Sequence, residues 1–290
     1  MLNFKAGESN KGKRLDVFVS EKLTNYTRAS LKSLFVNNQV LLDKLPTKPG
    51  HKLRKDDSVS IDTTLVDMEP PDVNLEVIYE DKNAVVVNKP AGMLTHSKGA
   101  VNYESTVASF LKNKITDKNL FGNRAGIVHR LDRLTSGVII GAKNQASLKW
   151  LQKQFAERRT KKIYTAIVEG KLSPAEAIVD VPIERNPKHP QTFRTGLGGK
   201  PSQTRYKVER HFKVMGKDYS LVELSPATGR THQLRIHMAH LGHPIVGDPV
   251  YGHGGSQAML LHAKFLELTL LDGTIKSFVA PLPDTFKPYT

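Results

Sequence analysis

The 290-residue sequence has no cysteine, which excludes disulfides, thiolate nucleophiles and the common thiolate zinc sites and fits a reducing compartment. It has no apolar run near the roughly 18 residues that a membrane helix needs. Its start, Met1-Leu2-Asn3-Phe4-Lys5-Ala6-Gly7-Glu8, lacks the apolar centre of a secretory signal. Neither Gly-x-Gly-x-x-Gly nor Gly-x-x-x-x-Gly-Lys-Ser/Thr occurs, so the common phosphate-cradling loops of dinucleotide and nucleotide enzymes are missing. Acid is scarce: 28 Asp and Glu stand against 43 Lys and Arg, a formal charge of +15. Such an excess draws polyanions and speeds their encounter. With 39% hydrophobic and 7% aromatic residues the composition is that of a globular protein, so the charge is worn by a folded body rather than a disordered tail. A cytoplasmic protein with no membrane association is expected.

Two regions with different patterning follow. In residues 14–23, Leu15, Phe18 and Val19 fall at helical spacing, and a second helix is expected from Thr27 as N-cap, carrying Leu31, Leu34 and Phe35 inward and Arg28 and Lys32 outward. Short strands are expected at 40–42 and 58–61. The Arg14-Leu15-Asp16 segment, the Thr27-Arg28-Ala29-Ser30-Leu31 helix start, Val40-Leu41-Leu42 and Asp57-Ser58-Val59-Ser60-Ile61 resemble the S-four RNA-binding domain. This implies a small α/β RNA-binding module over 1–62. Residues 63–72 include Glu69-Pro70-Pro71-Asp72, and paired prolines disfavour helix and sheet, so a linker is expected there. Over 73–290, strands are expected at 75–79, 84–88, 126–131, 137–142, 162–169, 203–208 and 220–224, with helices at 103–113, 145–157 and 231–241. Strands outnumber helices without alternating with them, which predicts an α+β fold, a mixed and largely antiparallel sheet with flanking helices.

Chemistry concentrates in residues 126–140. Asp132 lies between Arg130 and Arg133 and is followed by Thr135-Ser136-Gly137. Neighbouring positive charge favours an ionised carboxylate, and a strand end would expose it to a ligand. By residue chemistry alone the segment is equally a hairpin with Asp132 as its turn former. His232, His237, His240 and His243 put i,i+3 spacings on one helix face, but no His-Glu-x-x-His pattern accompanies them. No metal site is expected; the histidines are read as RNA-facing or packing residues.

His129-Arg130-Leu131-Asp132 with Thr135-Ser136-Gly137 resembles, without gaps, the central motif of the RluA family of pseudouridine synthases, and His129 stands where the related RsuA family typically has Gly. Two further stretches match in order: residues 86–96, with Asn88-Lys89-Pro90-Ala91-Gly92, and residues 229–248, with Gly229-Arg230-Thr231-His232-Gln233-Leu234-Arg235, extended to Tyr251-Gly252. The resemblance implies Asp132 as catalytic carboxylate, Arg235 as its ion-pair partner and Tyr164, after Lys161-Lys162, as an aromatic facing the flipped base. It implies Arg130 as the residue that enters the RNA stack; His129, Arg230 and His232 are further candidate RNA-binding residues, and the S-four-like module adds Arg28 and Lys32.

The implied reaction breaks the N-glycosidic bond of a uridine and rejoins the uracil through carbon 5, so no cofactor is expected. Asp132 could attack as a nucleophile or remove a sugar proton, and both roles need it ionised. The implied partner is structured RNA, large-subunit ribosomal RNA in the first place and transfer RNA in the second; a monomer is expected, although nothing in the residues fixes the oligomeric state. Two other classes stay open: a non-catalytic RNA-binding assembly factor, and a metal-dependent hydrolase built on the histidines.

Overall fold

The structure, a computed structural model, describes residues 1–24, 26, 28, 31–68, 70–97, 104–120, 122, 124–254 and 258–289. The chain divides into two compact units, 1–73 with 96–110, and 74–95 with 111–290.

The first unit contains β1 (Leu2–Lys5), α1 (Leu15–Lys22), α2 (Lys32–Val36), β2 (Val40–Leu42), β3 (Leu45–Pro46), β4 (Ser58–Ile61) and a short α3 (Thr64–Asp67). Its sheet runs β1-β4-β2-β3, every pair antiparallel. The apolar residues at helical spacing close the core as expected: Leu15, Phe18, Val19, Leu31 and Leu34 are buried with Val59 and Ile61. Strand β1 was not anticipated, because its side chains are largely exposed and only its ladder to β4 defines it. Thr27, the expected N-cap, and Glu69 of the expected linker lie outside the described residues. The segment expected as a linker begins with α3, whose Val66 is buried in this core.

After β5 (Glu76–Glu80) and β6 (Ala84–Lys89) come α4 (Val107–Lys112), β7 (Ser136–Ala142), α5 (Gln145–Ala156), β8 (Lys161–Glu169), β9 (Glu176–Asp180), β10 (Ile183–Arg185) and β11 (Phe193–Thr195). Then follow β12 (Gln203–Val214), β13 (Lys217–Pro226), α6 (Gln233–His240), β14 (Leu261–Thr269) and β15 (Ile275–Val279). Of the helix expected over 103–113, Tyr103 lies outside the described residues, and the helix observed among the described ones is α4, which starts at Val107. Nine strands form one sheet in the order β5-β6-β7-β14-β8-β13-β12-β9, with β15 on β14. All pairs in it are antiparallel except β7 with β14, so the sheet is mixed and largely antiparallel, as expected.

β14 joins the two halves of the sheet, and Gly137 makes the junction possible. Gly137 has φ of +114°, and a Cβ there would sit 2.2 Å from the Ala263 carbonyl oxygen; only glycine allows both the conformation and the approach. The parallel register His262↔Ser136 and Ala263↔Gly137 follows, and Ser136 Oγ lies 2.9 Å from His262 Nδ1 in the interior. All seven residues of β7 are buried. Helix α5 starts at Asn144, whose side chain accepts from Ser147 N, a cap that satisfies one of the helix's free amides. Its Trp150 and Gln154 donate to Thr269 O, and Gln154 Oε1 accepts from Thr269 N, fastening the helix to β14. Burial of Leu151 at the same face contributes about 1.5–3 kcal/mol.

Residues 126–131, expected as a strand, make only one bridge, Ile127↔Gly141, before turning toward Asp132. Strands β9, β10, β11, β14 and β15 were not anticipated; β9 and β15 alternate exposed and half-buried residues with one buried each, which leaves little apolar signal.

Candidate active site

Asp132 stands on a loop that is clamped from below. Thr95 Oγ1 donates to Leu131 O at 2.9 Å and accepts from Leu131 N at 3.2 Å. Gly92 N donates to Arg133 O. Lys89, fully buried at the end of β6, donates to the carbonyls of Pro90, Met93 and Arg133 at 2.9, 2.9 and 3.2 Å. Burial pulls the Lys89 ammonium down to about 7, with the charge of Asp132 opposing. One lysine thus ties the 90–93 turn to the Asp132 loop, which gives the Lys-Pro-Ala-Gly stretch its physical meaning.

The loop opens into a cleft of about 580 Å³ lined by Arg130, Asp132, Tyr164, Arg230, His232 and Arg235 among others. Arg235 and Asp132 meet there, but not as a two-pronged pair: Arg235 Nη1 is 3.8 Å from Asp132 Oδ2. The fork itself faces Asp248, with Nε and Nη2 each 2.7 Å from its two oxygens. The expected pair is thus present at longer range, while Asp248 takes the fork and Asp132 receives the remaining edge of the guanidinium. Asp248 is 0% exposed and also accepts from the amides of Val250 and Tyr251. Burial pushes its carboxyl up, yet Arg235 and those amides outweigh burial and hold it below the usual carboxylate range. Burial likewise weakens the Arg235 charge, and the carboxylates of Asp248 and Asp132 more than restore it. A cation fixed by one buried anion is thereby presented to a second, accessible one.

Tyr164, on β8, lies opposite Ala263 and Leu224 in the ladders that flank it, and β14 in turn carries Ala263 beside Gly137. Burial, and then the charge of Asp132, push its phenol above the ordinary value, so it stays protonated. Arg130 is exposed at the rim, and Arg230 Nε donates to Pro201 O. His129 lines the same cleft. Its ring stacks on Phe155 at 4.4 Å and its Nε2 accepts from Ile140 N at 3.1 Å; burial, with Lys162 nearby, pushes it down to about 3. Arg28 and Lys32 belong to the first unit, where Arg28 pairs with Asp16 at 2.6 Å and Lys32 is exposed at the start of α2.

The four histidines do not converge. His237 is buried between Thr204 Oγ1 and Val181 O, His243 lies beyond α6 against Glu169 O, and His240 approaches Thr195. Among the described residues no group of three or more His, Asp or Glu could hold a metal ion. His232 precedes α6 in the left-handed region, φ 57°, with Nδ1 2.9 Å from Tyr251 OH and Nε2 4.0 Å from Asp132 Oδ2. Asp248 and Tyr251 carried no role in the sequence reading beyond standing in the quoted motif; in the structure Gly247, before Asp248, has φ of +75°, and a Cβ there would lie 2.3 Å from Ala258 O.

An accessible carboxylate beside a buried guanidinium, with a protonated phenol in the same cleft, can attack or deprotonate a sugar while a planar ring is held near the phenol. The comparisons with known proteins agree. A family model described as RNA pseudouridylate synthase matches residues 83–240. The chain is 37% identical over 293 residues to the ribosomal large subunit pseudouridine synthase D of Borreliella burgdorferi, covering 94% of this chain and 87% of that one. It is 34% identical over 306 residues to the protein of the same name from Escherichia coli K12, covering 97% and 91%. The solved structure of human RNA Pseudouridylate Synthase Domain Containing 1 superposes with a TM-score of 0.61 at 32% identity, over 74% of this chain and 86% of that one.

Proposed function

The chain belongs to the RluA-type family of RNA pseudouridine synthases, isomerases that act on RNA, and from that premise we propose that its substrate is large-subunit ribosomal RNA and that Asp132 is its catalytic carboxylate. The relatives' names support the substrate. The observation that carries the catalytic assignment is the accessible Asp132 carboxylate 3.8 Å from the buried Arg235 in the cleft that Tyr164 lines.

In the proposed course a uridine leaves the RNA stack and enters the cleft, as any enzyme working on a stacked base requires. Arg130, exposed at the rim, fills the gap it leaves. The Asp132 carboxylate opens the glycosidic bond, either by bonding to the nucleoside or by taking a ribose proton. The uracil then turns over against Tyr164, and carbon 5 bonds to ribose carbon 1. The carbon 5 hydrogen departs as a proton and nitrogen 1 gains one, so the product is an isomer and no oxidant or co-substrate takes part. Residues 1–62, as an S-four-like module, add phosphate contacts through Lys32 and the outer face of Arg28, contacts that weaken with salt. The working form assumed is a cytoplasmic monomer; among the described residues no helix is long and apolar enough to cross a membrane.

The test is release of tritium to water from ribosomal RNA labelled at uracil carbon 5. Release by the wild type and none by Asp132→Asn is expected. Release persisting in that variant would remove Asp132 from its role, and release from transfer RNA alone would move the substrate.

A further inference from the structure

The environment of His232 favours a proton on one of its two nitrogens over the other. Among the described residues the Tyr251 hydroxyl has two hydrogen-bond partners: Phe193 N, 3.1 Å away, and His232 Nδ1, 2.9 Å away. A backbone N–H can only donate, so the hydroxyl accepts from Phe193 and its single proton is free for Nδ1. An Nδ1 that accepts leaves the proton of a neutral imidazole on Nε2, the nitrogen 4.0 Å from Asp132 Oδ2. The residue cannot swing away easily. It sits at a left-handed backbone position before α6, and the rings of Phe193 and Tyr251 contact it edge-on at 6.1 and 5.5 Å. The Tyr251 ring also lies under the Arg235 guanidinium, 5.0 Å from its centroid.

We propose that His232 serves the reaction as a neutral donor whose Nε2–H is aimed at the Asp132 carboxylate, and that Tyr251 is the positioning residue that fixes this tautomer. The proposal rests on Asp132 being the reacting group. Its physical need follows from Arg235, whose fork is occupied by Asp248 and which offers Asp132 only one nitrogen at 3.8 Å. A second donor completes the set, and a gap of 4.0 Å closes to a hydrogen bond with a movement of about 1 Å when substrate fills the cleft, as is common for sites without ligand. A neutral donor steadies the carboxylate without competing to protonate it. Of the charged and titratable groups around the imidazole, Asp132 and Asp248 favour its protonation and Arg235 and Arg130 oppose it; burial, the largest influence, lowers its pKa below the ordinary histidine value. Protonation of Nδ1 would also require the Tyr251 hydroxyl to turn away.

The decisive measurement is long-range proton–nitrogen spectroscopy of the full chain labelled with ¹⁵N-histidine, with the His232 signals assigned by their loss in His232→Gln. At neutral pH a protonated Nε2 and a bare Nδ1 are expected. Tyr251→Phe, which keeps the ring under Arg235 and removes only the hydroxyl, should give a mixture of tautomers, raise the His232 pKa and move the acid limb of the kcat profile upward with it. In tritium release, His232→Gln, whose amide reaches the Nε2 position, should retain more kcat than His232→Asn, whose amide mimics Nδ1, by about tenfold or more. A proton on Nδ1 in the wild type, or an unchanged tautomer and pH profile in Tyr251→Phe, would overturn the proposal. The spectra decide it even if the wild type released no tritium, which would instead overturn the assignment of Asp132.

Discussion

Arg235 and Asp248 form a buried two-pronged ion pair, with both nitrogen–oxygen distances at 2.7 Å and the partners 4% and 0% exposed. Neither partner is the accessible reacting group, and yet the pair sets the field in which Asp132 works.

Replacing one member of such a pair leaves a desolvated charge behind, which costs about 3–5 kcal/mol. Asp248→Asn is therefore expected to lower the urea midpoint strongly and to reduce tritium release as well. Arg235→Lys should fail to restore either, because an ammonium cannot span both carboxylate oxygens while facing Asp132. A lysine variant with wild-type stability and turnover would show that the fork is dispensable.

Lys89 supplies donors to three carbonyls of two turns. Lys89→Met removes all of them, and unsatisfied buried carbonyls cost about 1–3 kcal/mol each where water cannot reach them. The expected outcome is a destabilised protein in which amide exchange accelerates in residues 90–93 and 131–135 ahead of the rest of the sheet. Uniform acceleration throughout the second unit would mean that Lys89 holds the whole body rather than the Asp132 loop.

Stability should fall as the solution is acidified below neutrality. Burial depresses His129 to about 3 and lowers His232, His237 and His262, so the unfolded chain takes up protons near the ordinary value of about 6.5 that the folded chain refuses. The unfolded state then binds more protons, and unfolding becomes easier as pH drops, by at most about 1.4 kcal/mol per pH unit for each such group. His129→Gln, whose amide oxygen can still accept from Ile140 N, should recover about 1–2 kcal/mol of the stability lost between pH 7 and pH 5. Parallel urea-midpoint profiles for the two proteins would show that His129 is not held neutral by the fold.

Much of this site was legible in the residues, for reasons that differ from group to group. Asp132, Tyr164 and Arg235 stood out through their motifs, and the α+β class followed from short strands without regular alternation. What escaped was the identity of partners across long sequence separations. Asp248 lies within the quoted motif, but nothing in a linear pattern says that a buried aspartate takes the fork of an arginine thirteen positions earlier. The stacking of His129 on Phe155 was likewise beyond a linear pattern, since the two rings are 26 positions apart. β14 was missed because it mixes buried Leu, His and Ala with an exposed Lys, a pattern set by its place in mid-sheet rather than by simple alternation.

That same strand completes the site. β7, which follows Asp132, and β8, which carries Tyr164, share one sheet only because β14 lies between them. A chain cut just after Asp248 would keep Asp132, Tyr164, His232 and Arg235 yet lack the strand that sets the spacing between the Asp132 loop and Tyr164.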